Sequence, residues 1–295
     1  MMYNSINPLR WYLKKLARKG MALTSLVSGR IESGDTQSEA AQVRVLTYHR
    51  FGNAHRDPFC IGLHDFEAQM AWLARHNLAV SLRDIESFLL GEKVLPKGAV
   101  LVTVDDGFRS LYYGALPILK KYAIPAVAFV TASEIDAGSG CTNPKVHEYA
   151  EARLTWSEVE ALAQAGIIIA SHGWTHHSLA KMSLGEAREE AVQSREFLEK
   201  KLGINVTAFA YPFGTLADFN RSTATILEES GYKFAFTSQH GAIRQKFDPL
   251  ALPRIKVEGG EALWMFRLLV RGGLDDWKLI DRTLWRLQQS PAIGA

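Results

Sequence analysis

Apolar and polar positions along this chain switch repeatedly between two rhythms. Ala99-Val100-Leu101-Val102 is an apolar run without alternation and reads as a strand covered on both faces. Val43-Arg44-Val45-Leu46-Thr47-Tyr48, Ala126 to Thr131, Ile167-Ile168-Ile169-Ala170, Thr207 to Ala210 and Phe234-Ala235-Phe236 read as further strands. Ala79-Val80-Ser81 and Arg254-Ile255-Lys256-Val257 read as shorter strands. Between them the spacing becomes helical. Residues 64–77 put Phe66, Met70 and Leu73 on one face, and 82–90 end at Gly91. Further helices are expected over about 110–122, 155–165, 183–202 and 218–230. Thr155 followed by Glu158 is a capping box, and Gly203 closes the 183–202 helix. One or two helices over 261–289 carry Trp264, Trp277 and Trp285, expected to pack a closing helix. Residues 133–153 show no period and contain Gly138, Gly140 and Pro144, so they read as a long loop. Strands alternating with helices about seven times predict an α/β fold with a parallel sheet, closed or nearly closed into a barrel.

Three parts follow along the chain. Residues 1–42 are a basic amphipathic segment and linker, with Leu9, Tyr12, Leu13 and Leu16 at helical spacing among Arg10, Lys14, Lys15, Arg18 and Lys19. The segment lacks the continuous apolar core of a secretory signal; over residues 1–27 it suits peripheral contact with an anionic membrane, a helix docked on the domain, or an unordered tail. Residues 43–260 are the barrel and 261–295 a helical extension. The chain of 295 residues is 47% hydrophobic and 22% charged, ordinary globular material. A net charge of +3 without any nucleic-acid motif gives no support to a nucleic-acid partner. Two cysteines, Cys60 and Cys141, allow one bridge or two thiols.

The chemistry begins at Thr103-Val104-Asp105-Asp106-Gly107, where two carboxylates follow a buried strand. Desolvated carboxylates need a metal, a proton or a donor. In a barrel, functional groups collect at the carboxyl ends of strands. His49, Asp105, Asp106, His172 and the Tyr211-Pro212-Phe213-Gly214 turn all fall there. His172 and His176 are spaced so that both imidazoles reach one metal, with His177 competing for the second place. Asp106 completes a facial set with open positions. Zinc suits it, and cobalt, nickel, manganese and iron stay open. Asp105 is placed to act as a base and His49 as an acid, the ingredients of metal-assisted hydrolysis of an amide or ester. Tyr48, Trp174 and Tyr211 read as core aromatics. His240, Asp57 and His55 read as surface polar residues.

Thr103–Gly107, Ser171-His172 with His176, and Phe209-Ala210-Tyr211-Pro212-Phe213-Gly214 together resemble the polysaccharide deacetylases, carbohydrate esterase family 4. The resemblance spans roughly residues 43–257. It implies a distorted (β/α) barrel and a divalent metal used to remove acetyl groups from glycans. It implies Asp105 as base, Asp106, His172 and His176 as ligands, and the Phe213 backbone N–H as oxyanion donor. Two departures point to a permuted branch that includes biofilm poly-N-acetylglucosamine deacetylases. Ala210 stands where an arginine is common, and no histidine follows residue 240. In their place Leu46-Thr47-Tyr48-His49 opens the domain, making His49 the acid, and Arg254 is a candidate to orient Asp105. Resemblance to a glycan-active family also makes Tyr48, Trp174 and Tyr211 candidates for stacking on sugar rings, beside their reading as core aromatics.

The expected substrate is an N-acetylated polysaccharide or a lipid-linked glycan. A silent glycan- or membrane-partner-binding barrel and an esterase or amidase of another small acylated substrate are the alternatives. A binding module has no use for all five polar groups at once. The expected location is the cytoplasm or the inner membrane surface, with export left open, because family members acting on finished polymers are usually exported.

Overall fold

The computed structural model describes residues 7–29, 31, 42–53, 55–136 and 152–283. Its centre is a sheet whose strands are all parallel, in the order β8-β7-β6-β5-β4-β1-β9. These are β1 (Arg44–Tyr48), β4 (Val100–Val104), β5 (Ala126–Val130), β6 (Ile168–Ser171), β7 (Ala208–Ala210), β8 (Phe234–Phe236) and β9 (Ile255–Lys256). Two further short strands, β2 (Arg50–Phe51) and β3 (Cys60–Ile61), pair only with each other. Residues just before β9 bond along β8: Thr237 N–H donates to the Leu252 carbonyl at 2.8 Å. The chain then crosses to pair Ile255 with Leu46 of β1. One segment therefore touches both edges of the sheet and curls it into a distorted (β/α) barrel of seven strands.

Two hydrophobic cores follow from this curl. Val43, Val45, Leu101, Val127, Phe129, Ala208, Phe234 and Phe236 fill the inside. Leu46, Tyr48, Val100, Val102, Val104 and Ala128 face the helices outside. β4 and β5 lack alternation because both of their faces are dry, each buried branched or aromatic side chain contributing about 1.5–3 kcal/mol.

The helices are α1 (Pro8–Val27), α2 (Leu63–Arg75), α3 (Leu82–Leu89), α4 (Leu116–Lys121), α5 (Trp156–Gln164), α6 (Leu184–Leu202), α7 (Arg221–Glu229), α8 (Leu263–Val270) and α9 (Trp277–Thr283). The Thr155–Glu158 capping box forms, as its spacing predicts. Other expectations need correction. Ala79–Ser81 makes only a single bridge, Ala79 to Val100. The expected 110–122 helix opens with a wide π turn over Leu111–Ala115 before α4. Pro117, lacking an N–H, sits in the first turn of α4, where none is needed. Most of the 133–153 loop, Cys141 and Trp285 lie outside the described residues. Cys60 is buried, and Trp277 packs inside as expected.

His240 and Asp57 are not surface residues; both are buried. His240 Nδ1 lies 2.9 Å from Asp281 of α9, and Asp57 pairs with Arg50. Each has a charged or polar partner distant enough in sequence, or in an unexpected strand, to hide its burial. His55 is exposed as expected.

Candidate metal centre and active site

Parallel strands deliver their carboxyl ends to one rim, and the polar groups meet there. Asp105 and Asp106 follow β4, His172 follows β6, and His49 follows β1. Asp105 is held first by its backbone, donating its N–H to the Tyr48 carbonyl at 2.9 Å. Its carboxylate is then gripped from outside its own element. Arg254 Nη1 donates to Asp105 Oδ1 and Nη2 to Oδ2, both at 2.7 Å. Arg254 is itself fixed, Nε donating to the Thr237 carbonyl at 2.9 Å and Nη1 to the Thr103 hydroxyl at 3.3 Å. Burial pushes the Asp105 carboxyl up, but the Arg254 guanidinium more than offsets this and holds it below the usual carboxylate range. Asp105 is therefore a fixed, ionised carboxylate.

Asp106 turns the other way because the strand has ended. Its φ of 72° is left-handed, a conformation costly for a residue with a Cβ. The turn is stabilised by Arg153, which donates to the Asp106 carbonyl at 2.6 Å. Asp106 Oδ1 lies 3.3 Å from His172 Nε2 and 3.3 Å from His176 Nε2. The three ligand atoms lie within 4.8 Å of one another. His172 Nδ1 sits 2.7 Å from the Ala210 carbonyl, an acceptor only, so Nδ1 carries the proton and Nε2 offers its lone pair. Burial opposes charge on Asp106, yet the two imidazoles keep its carboxyl well below the usual range. Two imidazole nitrogens and one carboxylate oxygen fit a divalent metal with open positions. His177 is exposed, its Nδ1 against the Thr175 hydroxyl at 2.6 Å, and takes no part in the cluster.

The loop carrying His176 is tied down by Glu190 of α6. One carboxylate oxygen accepts from the backbone N–H groups of Trp174 at 2.8 Å and Thr175 at 3.0 Å, and the other accepts from the Thr175 hydroxyl. Sequence reading passed over Glu190 and Arg153, because neither belongs to a local motif. For Glu190 the signal was only that a charged residue of an amphipathic helix sits on its buried face, and Arg153, at the end of a loop before the 156–164 helix, carried none.

Phe213 lies beside the cluster, its ring centroid 5.0 Å from that of His176. The Gly214 N–H closes a turn onto the Pro212 carbonyl at 2.7 Å, which forces Phe213 to a φ of 62°. Gly214 is required: a Cβ there would lie 2.6 Å from the Ser238 nitrogen. His49 is half-buried, its ring 4.8 Å from Phe59. Burial lowers its pKa, while the nearby Asp106 and Asp105 carboxylates partly restore it.

Two of the sugar-stacking candidates are corrected. Tyr48 is 1% exposed and Tyr211 0%, so neither offers a ring face to a sugar. Their hydroxyls are spent inside, on Gln69 Oε1 at 2.8 Å and the Leu250 carbonyl at 3.0 Å. Trp174 is half-buried with its ring edge-on to Phe197 of α6 at 5.1 Å.

The sequence profile described as Polysaccharide deacetylase matches residues 92–235, the stretch holding both aspartates, both histidines and Phe213. Over that stretch the chain matches the polysaccharide deacetylase family. The family profile stops short of His49 and Arg254 at either end, yet the fold carries both into the same site. YxkH of Bacillus subtilis (strain 168), named for the same family, is 28% identical over 223 residues, 75% of this chain and 73% of that protein. The poly-β-1,6-N-acetyl-D-glucosamine N-deacetylase of Staphylococcus epidermidis is 28% identical over 203 residues, 65% of this chain and 66% of that one. The solved structure of IcaB from Ammonifex degensii superposes with a TM-score of 0.64 at 25% identity, covering 79% of this chain and 97% of that one. The chain is a carbohydrate deacetylase, a hydrolase whose Asp-His-His cluster fits a divalent metal.

Proposed function

We propose that this deacetylase removes N-acetyl groups from a polymer of N-acetylhexosamine, of the kind named for its staphylococcal relative. The observation that carries the reading is the pairing of an Arg254-clamped base, Asp105, with the Asp106–His172–His176 cluster at one barrel rim. A divalent metal there, with zinc the best match to the donors, would supply Lewis-acid activation of water and of the acetyl carbonyl.

The chain's own residues do the rest. Asp105 takes the proton of the attacking water on a carboxylate oxygen. Arg254 keeps that carboxylate ionised and in one rotamer beforehand. The Phe213 backbone N–H, set on its tight turn beside His176, is the donor for the oxyanion. His49 gives a proton to the departing sugar amine, which otherwise leaves as an unstable anion.

Acetate release from N-acetylglucosamine oligomers tests this. Release is expected from the metal-loaded protein, to vanish on chelation, to return with zinc, cobalt or nickel, and to be absent in Asp105→Asn. A metal-loaded protein with all five polar groups intact that frees no acetate from any N-acetylated glycan would overturn it.

A further inference from the structure

Helix α1 is mounted inside out. Its inward face carries Trp11, Lys15, Arg18, Ala22 and Ser25, all buried. The contacts beneath it are ionic. Arg18 grips Glu261, with Nε to Oε1 at 2.6 Å and Nη2 to Oε2 at 3.1 Å. Lys15 reaches Glu258 at 3.0 Å and Glu261 at 3.2 Å, and Lys14 reaches Glu258 at 2.6 Å. Arg18 Nη2 also donates to the Lys256 carbonyl at 3.0 Å, and its guanidinium stacks 5.6 Å over the Trp277 ring. A buried charge stripped of its partner is strongly destabilising, so these pairs fix which way the helix faces.

The opposite face is apolar and exposed. Leu9, Tyr12, Leu13, Leu16, Leu23 and Val27 follow one another at helical spacing, Leu13 57% and Leu16 68% exposed. Among the described residues, nothing packs over them. At 100° per residue Arg10 and Lys19 border this stripe on either side. The helix contains no Asp or Glu. A soluble helix buries its leucines and exposes its charges; here the order is reversed.

We propose that α1 docks this protein onto an anionic lipid surface. A long apolar stripe flanked only by cations is complementary to a bilayer interface carrying negative headgroups. A second copy is a poorer occupant, since pairing two such faces would bring their cationic borders together. The mounting also sets orientation. Glu258 and Glu261 follow the carboxyl end of β9, and β9 lies beside β1, which bears His49 at the same rim. A chain lying on α1 therefore holds the edge of its active-site rim near the lipid surface.

The test uses the full chain and sedimentation with vesicles of phosphatidylcholine, with and without phosphatidylglycerol. Binding is expected on the anionic vesicles, weakening with salt. It should fall by about tenfold or more in a Leu13→Glu/Leu16→Glu variant, whose side chains touch none of the docking pairs. An unchanged melting temperature shows that the variant is folded. The proposal is overturned if the folded wild-type chain ignores both vesicle types or binds them equally. It is equally overturned if the double variant binds as well as the wild type. A concentration-dependent dimer that the double variant dissolves, without vesicle binding by the wild type, would assign the face to a second copy instead.

Discussion

Arg254 and Asp105 are joined by two parallel hydrogen bonds of 2.7 Å between a guanidinium and a carboxylate that are both buried. They lie 149 residues apart in the chain and are brought together because β9 joins the sheet beside β1. We propose that the pair does for the base what an arginine at position 210 does in the commoner form of the motif. Here Ala210 lines the inner core, and its carbonyl instead sets the tautomer of His172.

Replacing Arg254 by lysine keeps the charge and loses the fork. Asp105 is then less well held, and its pKa rises toward or past the ordinary carboxylate value, since burial is no longer offset as fully. The acidic limb of kcat/KM should move to higher pH and the plateau should fall, on the order of 10²-fold for a misplaced base. Arg254→Ala leaves the buried Asp105 charge without its clamp and is expected to cost about 3–5 kcal/mol of stability. The measurements are a pH–rate profile for the first and denaturant unfolding for the second. A lysine variant with the wild-type profile would show that Arg254 is merely structural.

Glu190 supports the metal centre at one remove, through the two N–H groups and the hydroxyl that position the His176 loop. In Glu190→Gln an amide donor must face one of those donors. Outer-shell losses of this kind weaken metal affinity by about 10–100-fold. Titration calorimetry with zinc should show that drop, with the melting temperature of the metal-free protein little changed. Equal zinc affinity in the variant would mean that the loop holds its shape without Glu190.

How much of this was legible in the sequence depends on distance along the chain. The strand Val100–Val104 and the aspartates after it declare themselves locally, as does the Thr155–Glu158 cap. The cluster of Asp106 with His172 and His176 follows once strand ends are known to share a rim. Tyr48 and Tyr211 misled because adjacency to a motif says nothing about which face a side chain takes. In β1, Leu46 and Tyr48 point together to the helix layer. Periodicity in α1 likewise groups Leu9, Tyr12, Leu13 and Leu16, but not whether that group meets the body or the solvent. That choice is made by Glu258 and Glu261, more than two hundred residues away.

His240 illustrates the same limit and makes a prediction of its own. Its ring is buried between the barrel and α9, with Asp281 on Nδ1, Trp277 beside it, and the Arg18 and Lys256 cations near. Burial lowers its pKa, and Asp281 only partly offsets this. A histidine with a depressed folded pKa gives stability that is present above its unfolded value, about 6.5, and lost as pH falls through the folded one. Melting temperature should therefore decline on acidification below about 6.5, and the decline should be shallower in His240→Asn. An identical pH slope in the two proteins would assign the acid sensitivity to other groups.

His49 offers the sharpest test of the proposed chemistry, because an acid matters only as much as its leaving group needs a proton. An amide nitrogen cannot depart as an anion, whereas an activated phenol can. His49→Asn should therefore lower acetate release from N-acetylglucosamine oligomers by about 10²–10⁴-fold. Hydrolysis of 4-nitrophenyl acetate at the same site should be far less affected, and metal content should be unchanged. Burial also keeps the His49 pKa low, while the Asp105 and Asp106 carboxylates beside it favour the protonated form. Filling that cluster with a divalent cation neutralises part of the support, so the alkaline limb of amide hydrolysis should lie at or below the ordinary histidine value. Equal losses on amide and activated ester would remove His49 from the role of proton donor and leave it a positioning residue.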